Sequence, residues 1–195
     1  MFRVPFLIAI ALAIAFGGGL LSTLYALNAS AGFGAIRLGA WSAFPLAQTA
    51  QADPYAKSHR AKAGRLLLGN AEGLSFTATS DDAGNRLTGT CSYSISGATP
   101  AARLWTLYAA DNAGMPLSPP AELPSAYNSQ TVLRARDGTF TVTLSATAKP
   151  GNWLALPDTG AFTLVLTLLD TPAAGSSGLI GLSMPKIDNI GCGNA

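Results

Sequence analysis

From Val4 to Leu27 the chain carries no charged side chain, reading VPFLIAIALAIAFGGGLLSTLYAL. About 24 residues at helical rise span about 36 Å, more than the roughly 30 Å of a bilayer's hydrocarbon core. Residues 1–28 are therefore predicted to form a transmembrane anchor that meets the lipid bilayer through residues 4–27. A linker over 29–52 and a globular domain over 53–195 follow. The competing reading is a cleaved signal peptide, with Arg3 as its short basic start and Ala29-Ser30-Ala31 as a small-x-small cleavage site. The apolar run is longer than the roughly 7–15 residues of a signal-peptide core, which favours the anchor. Gly17-Gly18-Gly19 weakens a helix, but glycine is tolerated where neighbouring helices repack around it.

Arg3 precedes the span and Arg37 follows it at a distance, an arrangement that favours an internal N-terminus and an exported domain. Ala9, Ala13 and Gly17 form a small-xxx-small stripe able to seat a partner helix, although apolar spans also carry many small residues by chance. Net charge is +2 with 11% charged residues and no Lys/Arg stripe, so no nucleic-acid partner is expected.

The two cysteines, Cys91 and Cys192, are too far apart for a redox CxxC or a zinc knuckle. Outside the cytosol the useful reading is one disulfide that pins the C-terminal tail to a strand; the alternative is two unpaired thiols.

Along the linker, Phe33, Ile36, Leu38, Trp41 and Phe44 give an apolar character, and Trp41 suits either a membrane interface or the domain. Asp53-Pro54 is a helix start, Asp capping and Pro at the first helical position, and Gly69 is placed to end that helix. Tyr55, His59, Ala63, Leu66 and Leu67 approximate one face of this short amphipathic helix. The densest basic run, Lys57 to Arg65, suits anionic headgroups, an acidic partner or plain solvent.

From Glu72 onward the hydrophobic period becomes two. Leu74, Phe76 and Ala78 alternate with Ser75, Thr77 and Thr79, and Leu87–Ile95 carries Cys91, Tyr93 and Ile95 on one face. Arg103–Ala109 follows, then a proline-rich excursion. Thr131–Ala135 and Thr139–Leu144 flank Asp137-Gly138, a hairpin signal. Phe162–Leu169 reads as a central strand, and a last short strand is expected near Ile187. About seven to nine short strands with regular turns predict a mainly β fold, a jelly-roll-like antiparallel β-sandwich.

Catalytic signatures are lacking. His59 is the one histidine, which excludes a histidine-rich metal site, and no metal or cofactor is expected. GxSxG, P-loop and GxGxxG patterns do not occur. Asp81, Asp82, Asp111, Asp137 and Asp158 lie in turn sequences, where Asp bonds backbone amides; a hydrolase would need two carboxylates facing across a cleft. Glu72, at a helix-to-strand junction, is a candidate for a buried ion pair with Arg103. Trp153, in an expected loop, and Trp105 are candidate surface contacts for a glycan or lipid; core packing is the competing role.

Several segments occur here in order: Asp53-Pro54-Tyr55, Leu68-Gly69-x-x-Glu72-Gly73, Leu87-x-Gly89-x-Cys91-x-Tyr93 and Ala102-Arg103-x-Trp105-Thr106-Leu107. Arg136-Asp137-Gly138-Thr139-Phe140, Gly151-Asn152-Trp153-Leu154 and Asp170-Thr171-Pro172 follow. Together, over roughly residues 40–192, the chain resembles the domain of unknown function (DUF) 1214 family in its short, membrane-anchored bacterial form. The resemblance implies a jelly-roll-like sandwich, no established activity, and a companion membrane protein of the DUF 1254 type. Thr167, Leu168 and Leu169 stand where relatives tend to carry Arg-Leu-Tyr. The expected role is a non-enzymatic accessory subunit of the bacterial inner membrane with its domain in the periplasm. The alternatives are a carbohydrate- or lipid-binding module and a carboxylate-based hydrolase.

Overall fold

The computed structural model describes residues 3–29, 34–47, 49–50, 52–54, 57–58, 61, 68–69, 71–119, 123–158, 160–174 and 182–193. The uncharged run lies within one helix, α1 (Arg3–Ala29). Its Arg3–Leu27 stretch has a mean hydropathy of 2.4, is unburied, and is long and apolar enough to cross a membrane. The hydroxyls of Ser22 and Thr23 both donate to the Gly19 carbonyl at 2.9 Å, so neither stands unpaired on the apolar surface.

Among the described residues ten strands follow: β1 (Ile36–Leu38), β2 (Trp41–Ala43), β3 (Gly73–Ala78), β4 (Cys91–Gly97), β5 (Leu104–Ala110), β6 (Ala126–Asn128), β7 (Phe140–Ser145), β8 (Asn152–Ala155), β9 (Thr163–Leu169) and β10 (Lys186–Cys192). They form a six-stranded sheet, β1-β2-β3-β9-β5-β6, and a four-stranded sheet, β10-β4-β7-β8. One core joins the two. Trp41, Phe76, Leu107 and Leu166 of the larger sheet and Tyr93, Ile95, Val142 and Leu154 of the smaller belong to a single buried cluster. The period-two pattern places them there: β3 turns Leu74, Phe76 and Ala78 inward, and Ser75 and Thr77 stay half-buried outside. The apolar run of β9 is central, between β3 and β5, in register Phe76↔Leu166↔Leu107.

Four expectations change. Residues 36–43, read as linker, are two strands of the larger sheet. Of the two places open to Trp41, the structure takes the domain: it is a core residue, 1% exposed, and its indole N–H donates to the Pro185 carbonyl at 2.7 Å. The Asp137-Gly138 turn closes as read, with Gly138 N–H on Ala135 O at 3.0 Å, but 131–135 adds only a single bridge, Arg134↔Phe140. The rest of that segment is captured by Asn152. Its Oδ1 accepts from Leu133 N at 2.7 Å and its Nδ2 donates to Leu133 O at 2.8 Å.

Asn152-Trp153 opens β8, not a loop, and β8 runs parallel to β7 across a connection of only residues 146–151. The sandwich is therefore mixed, not wholly antiparallel. Of the amphipathic helix expected after Asp53, the first turn is seen in Lys57 N–H bonded to Asp53 O at 3.0 Å. His59, and most of the basic run from Lys57 to Arg65, lie outside the described residues.

Candidate functional site

The expected Cys91–Cys192 disulfide is formed, between directly paired residues of β4 and β10 at a sequence separation of 101. It ties the last strand to the sheet where β10 has bulged between Asn189 and Gly191.

The Glu72–Arg103 ion pair is not formed. Glu72 is exposed, and its Oε2 accepts from Gly69 N at 2.8 Å, so its carboxylate ends the turn before β3. Arg103 instead meets Asp170, Nε to Oδ2 at 3.1 Å, with the side chains 80% and 66% exposed. At that exposure the pair is worth about 0.2–1 kcal/mol. The backbone explains the change: Arg103 N–H reaches Leu169 O at 3.1 Å, setting it beside Asp170 where β9 ends.

Trp105 is not a surface contact. It is 2% exposed and stacks on Phe140, with centroids 4.9 Å apart and planes 28° apart. The Arg134 guanidinium lies 5.8 Å from the Trp105 ring and 5.9 Å from Phe140. Alternation in β5 turns Trp105, Leu107 and Ala109 inward together. Among the described residues the Trp105 indole N–H has no partner.

Trp153 is half-buried on β8. Its indole N–H donates to Ser145 O at 3.0 Å, and its main chain exchanges bonds with the Tyr127 hydroxyl.

Asp81, Asp82, Asp111 and Asp137 each accept from a backbone amide. Asp81, 2% exposed, accepts from Asn85 N at 2.7 Å and from Asn85 Nδ2 at 3.2 Å. Asp82 accepts from Ala40 N at 3.1 Å and Ile187 N at 2.6 Å, joining the β1–β2 turn to β10. Asp111 Oδ1 accepts from Met115 N at 2.9 Å. Asp137 accepts from the Thr139 hydroxyl at 2.7 Å and its amide at 3.0 Å, which hold its carboxyl below the usual value. Burial pushes the Tyr93 hydroxyl up, opposed by the Thr88 amide that it accepts at 3.0 Å and reinforced by the charge of Asp81. No three His, Cys, Asp or Glu side chains among the described residues are grouped to hold a metal.

Among the described residues a cleft of about 280 Å³ opens where the β1–β2 turn meets the start of β10, lined by Leu38, Gly39, Asp82, Leu182, Met184, Pro185 and Lys186. Its one carboxylate already holds two amides, so it offers apolar walls and a single ammonium, suited to binding and not to acid–base chemistry. Sequence reading took Asp82 for a turn residue alone. Nothing local marks its second partner, which comes from the far end of the chain.

A family model described as "Protein of unknown function (DUF1214)" matches residues 72–173. The chain belongs to the DUF1214 family. The match runs from the start of β3 to the 3₁₀ turn after β9 and includes Glu72, Cys91, Arg103, Trp105 and Trp153. It leaves out β1, β2, β10 and Cys192.

Among solved structures, the chain is similar to the VPA0106 protein from Vibrio parahaemolyticus, with 20% identity and a TM-score of 0.58. That match covers 72% of this chain and 36% of the other. A putative uncharacterized protein from Burkholderia cenocepacia is 15% identical with a TM-score of 0.41, covering 92% of this chain and 52% of its own. The first likeness supports the fold; this DUF1214 chain corresponds to about a third of that larger protein. No curated protein matches the sequence.

Proposed function

We propose that this DUF1214 protein is a non-enzymatic accessory subunit of the bacterial inner membrane. Helix α1 anchors it, and the β-sandwich stands in the periplasm and docks on a companion membrane protein of the DUF 1254 type. The observation that carries this reading is the pairing of an unburied apolar helix with a sandwich whose turn aspartates Asp81, Asp82 and Asp137 accept from its own backbone amides. A disulfide suits an oxidising compartment. The chain matches only 36% of the larger Vibrio parahaemolyticus protein that shares its fold, which suits a domain that works beside another.

The glycan-binding alternative loses one of its two platforms, since Trp105 lies in the core. The test is purification of the tagged full-length protein from native membranes in mild detergent, with mass spectrometry of what accompanies it. A stoichiometric membrane partner is expected. Recovery as a lone monomer from cells that make the companion would refute the docking role.

A further inference from the structure

The segment after β2 has its apolar residues inside out. Ala43, Pro45 and Ala47 are buried, whereas Phe44 and Leu46 are 39% and 40% exposed. Burying a Phe or Leu side chain gains about 1.5–3 kcal/mol, so a turn that hides its small residues and shows its large ones forgoes stabilisation open to it. The arrangement is held in place: Ala47 N–H bonds Phe44 O at 3.2 Å, and Thr49 bonds Leu46 O through its amide at 3.0 Å and its hydroxyl at 2.8 Å.

The register says what lies next to it. Ile36 pairs with Ala43, so Phe44 leaves the sheet at the strand end where the chain arrives from α1. Six residues, 30–35, separate α1 from β1, and six extended residues reach at most about 21 Å. Lys57 is exposed and donates from Nζ to Ala50 O at 3.2 Å, which ties its ammonium to the chain shortly after the turn. Arg37, paired with Ser42, is exposed on the adjoining strand.

We infer that the 44–47 turn is a membrane-contact element: Phe44 and Leu46 enter the interfacial region of the same bilayer that α1 crosses, with Lys57 and Arg37 facing anionic headgroups. An apolar pair beside basic residues is the chemistry of an interfacial anchor. The tether supplies the high effective concentration that makes so small a contact effective. The sandwich would then be held at a set tilt against the bilayer instead of swinging on its linker. This rests on the reading of α1 as a membrane span.

The test uses the full-length protein in vesicles of phosphatidylethanolamine and phosphatidylglycerol that carry a phospholipid with a photoactivatable diazirine on its acyl chain. Adducts are mapped by mass spectrometry. Adducts in α1 and at 44–47, lost from the turn in a Phe44→Ser/Leu46→Ser variant of unchanged thermal midpoint, are the expected result. Adducts confined to α1 would overturn the contact and leave the anchor standing. An unlabelled α1 would overturn the membrane span and this inference with it.

Discussion

The Tyr127 hydroxyl donates to the Trp153 carbonyl at 3.2 Å and accepts the Trp153 amide at 2.9 Å. The two residues belong to β6 and β8, the last strands of the two sheets on one side of the sandwich. One phenol thus caps the open edge of the smaller sheet from the edge of the larger, and Ala155 N–H on Pro124 O at 2.8 Å extends the closure. Trp41 does the same on the opposite side, binding Pro185 just ahead of β10. An uncapped edge is a template for pairing with another chain, so these bonds hold the sandwich together and guard its sides.

Tyr127→Phe keeps the ring and removes both bonds, leaving the Trp153 amide and carbonyl without that partner. The expected loss is about 1–3 kcal/mol of unfolding free energy. Denaturant titration of the full-length protein in detergent measures it, and a change within error would show that the edge is closed by other means.

Reducing the disulfide, or making Cys192→Ser, releases a loop with a separation of 101 residues. Chain entropy assigns about 4–5 kcal/mol to such a closure. β10 is the edge strand and is exposed along all its length but Ile187, so it should detach first. Hydrogen exchange of residues 186–192 with and without reductant reports this; equal protection in both states would contradict it.

Gly73 opens β3 with φ 155°, and a Cβ there would lie 2.1 Å from the Leu168 carbonyl oxygen. Gly73→Ala forces β3 and β9 apart at the pair Gly73↔Leu169. It should cost about 3 kcal/mol or more, at the upper end for overpacking. A melting temperature equal to that of the parent protein would show that the strands yield freely.

Asp137 supplies a pH dependence. Thr139 holds its carboxyl below the ordinary aspartate value, so in acid the folded chain binds fewer protons than the unfolded one. The resulting stabilisation is complete above the unfolded value and is lost as pH falls through the lower folded one. Asp137→Asn keeps an acceptor for the Thr139 amide without that titration. Its thermal midpoint should fall less steeply than the parent's in acid below about pH 4. Parallel slopes in the two proteins would refute the assignment.

Much of the core was readable in advance. Leu74, Phe76 and Ala78, and likewise Tyr93 and Ile95, point inward as their alternation requires, because successive side chains on a strand face opposite ways. The candidate site was less readable. Trp105 and Trp153 look alike in sequence, yet one is stacked under Arg134 and the other is fastened by its indole to Ser145. Arg103 has acidic residues both before and after it in the chain, and only the end of β9 selects Asp170 over Glu72.

The amino-acid sequence by itself determined the properties that depend on near neighbours. These are the apolar helix α1, the strand alternation, and turns such as Asp81–Asn85 and Asp137-Gly138, where side-chain acceptors and glycine act within a few residues. Tertiary structure decided what requires two distant segments to meet. It drew Trp41 from the linker into the core, turned β8 parallel to β7, gave Asp82 to Ile187, and left Phe44 and Leu46 facing outward. The division follows from the forces. Hydropathy and backbone preference act over one or two turns of chain, whereas strand partners are chosen by hydrogen bonds and shared burial between segments up to a hundred or more residues apart.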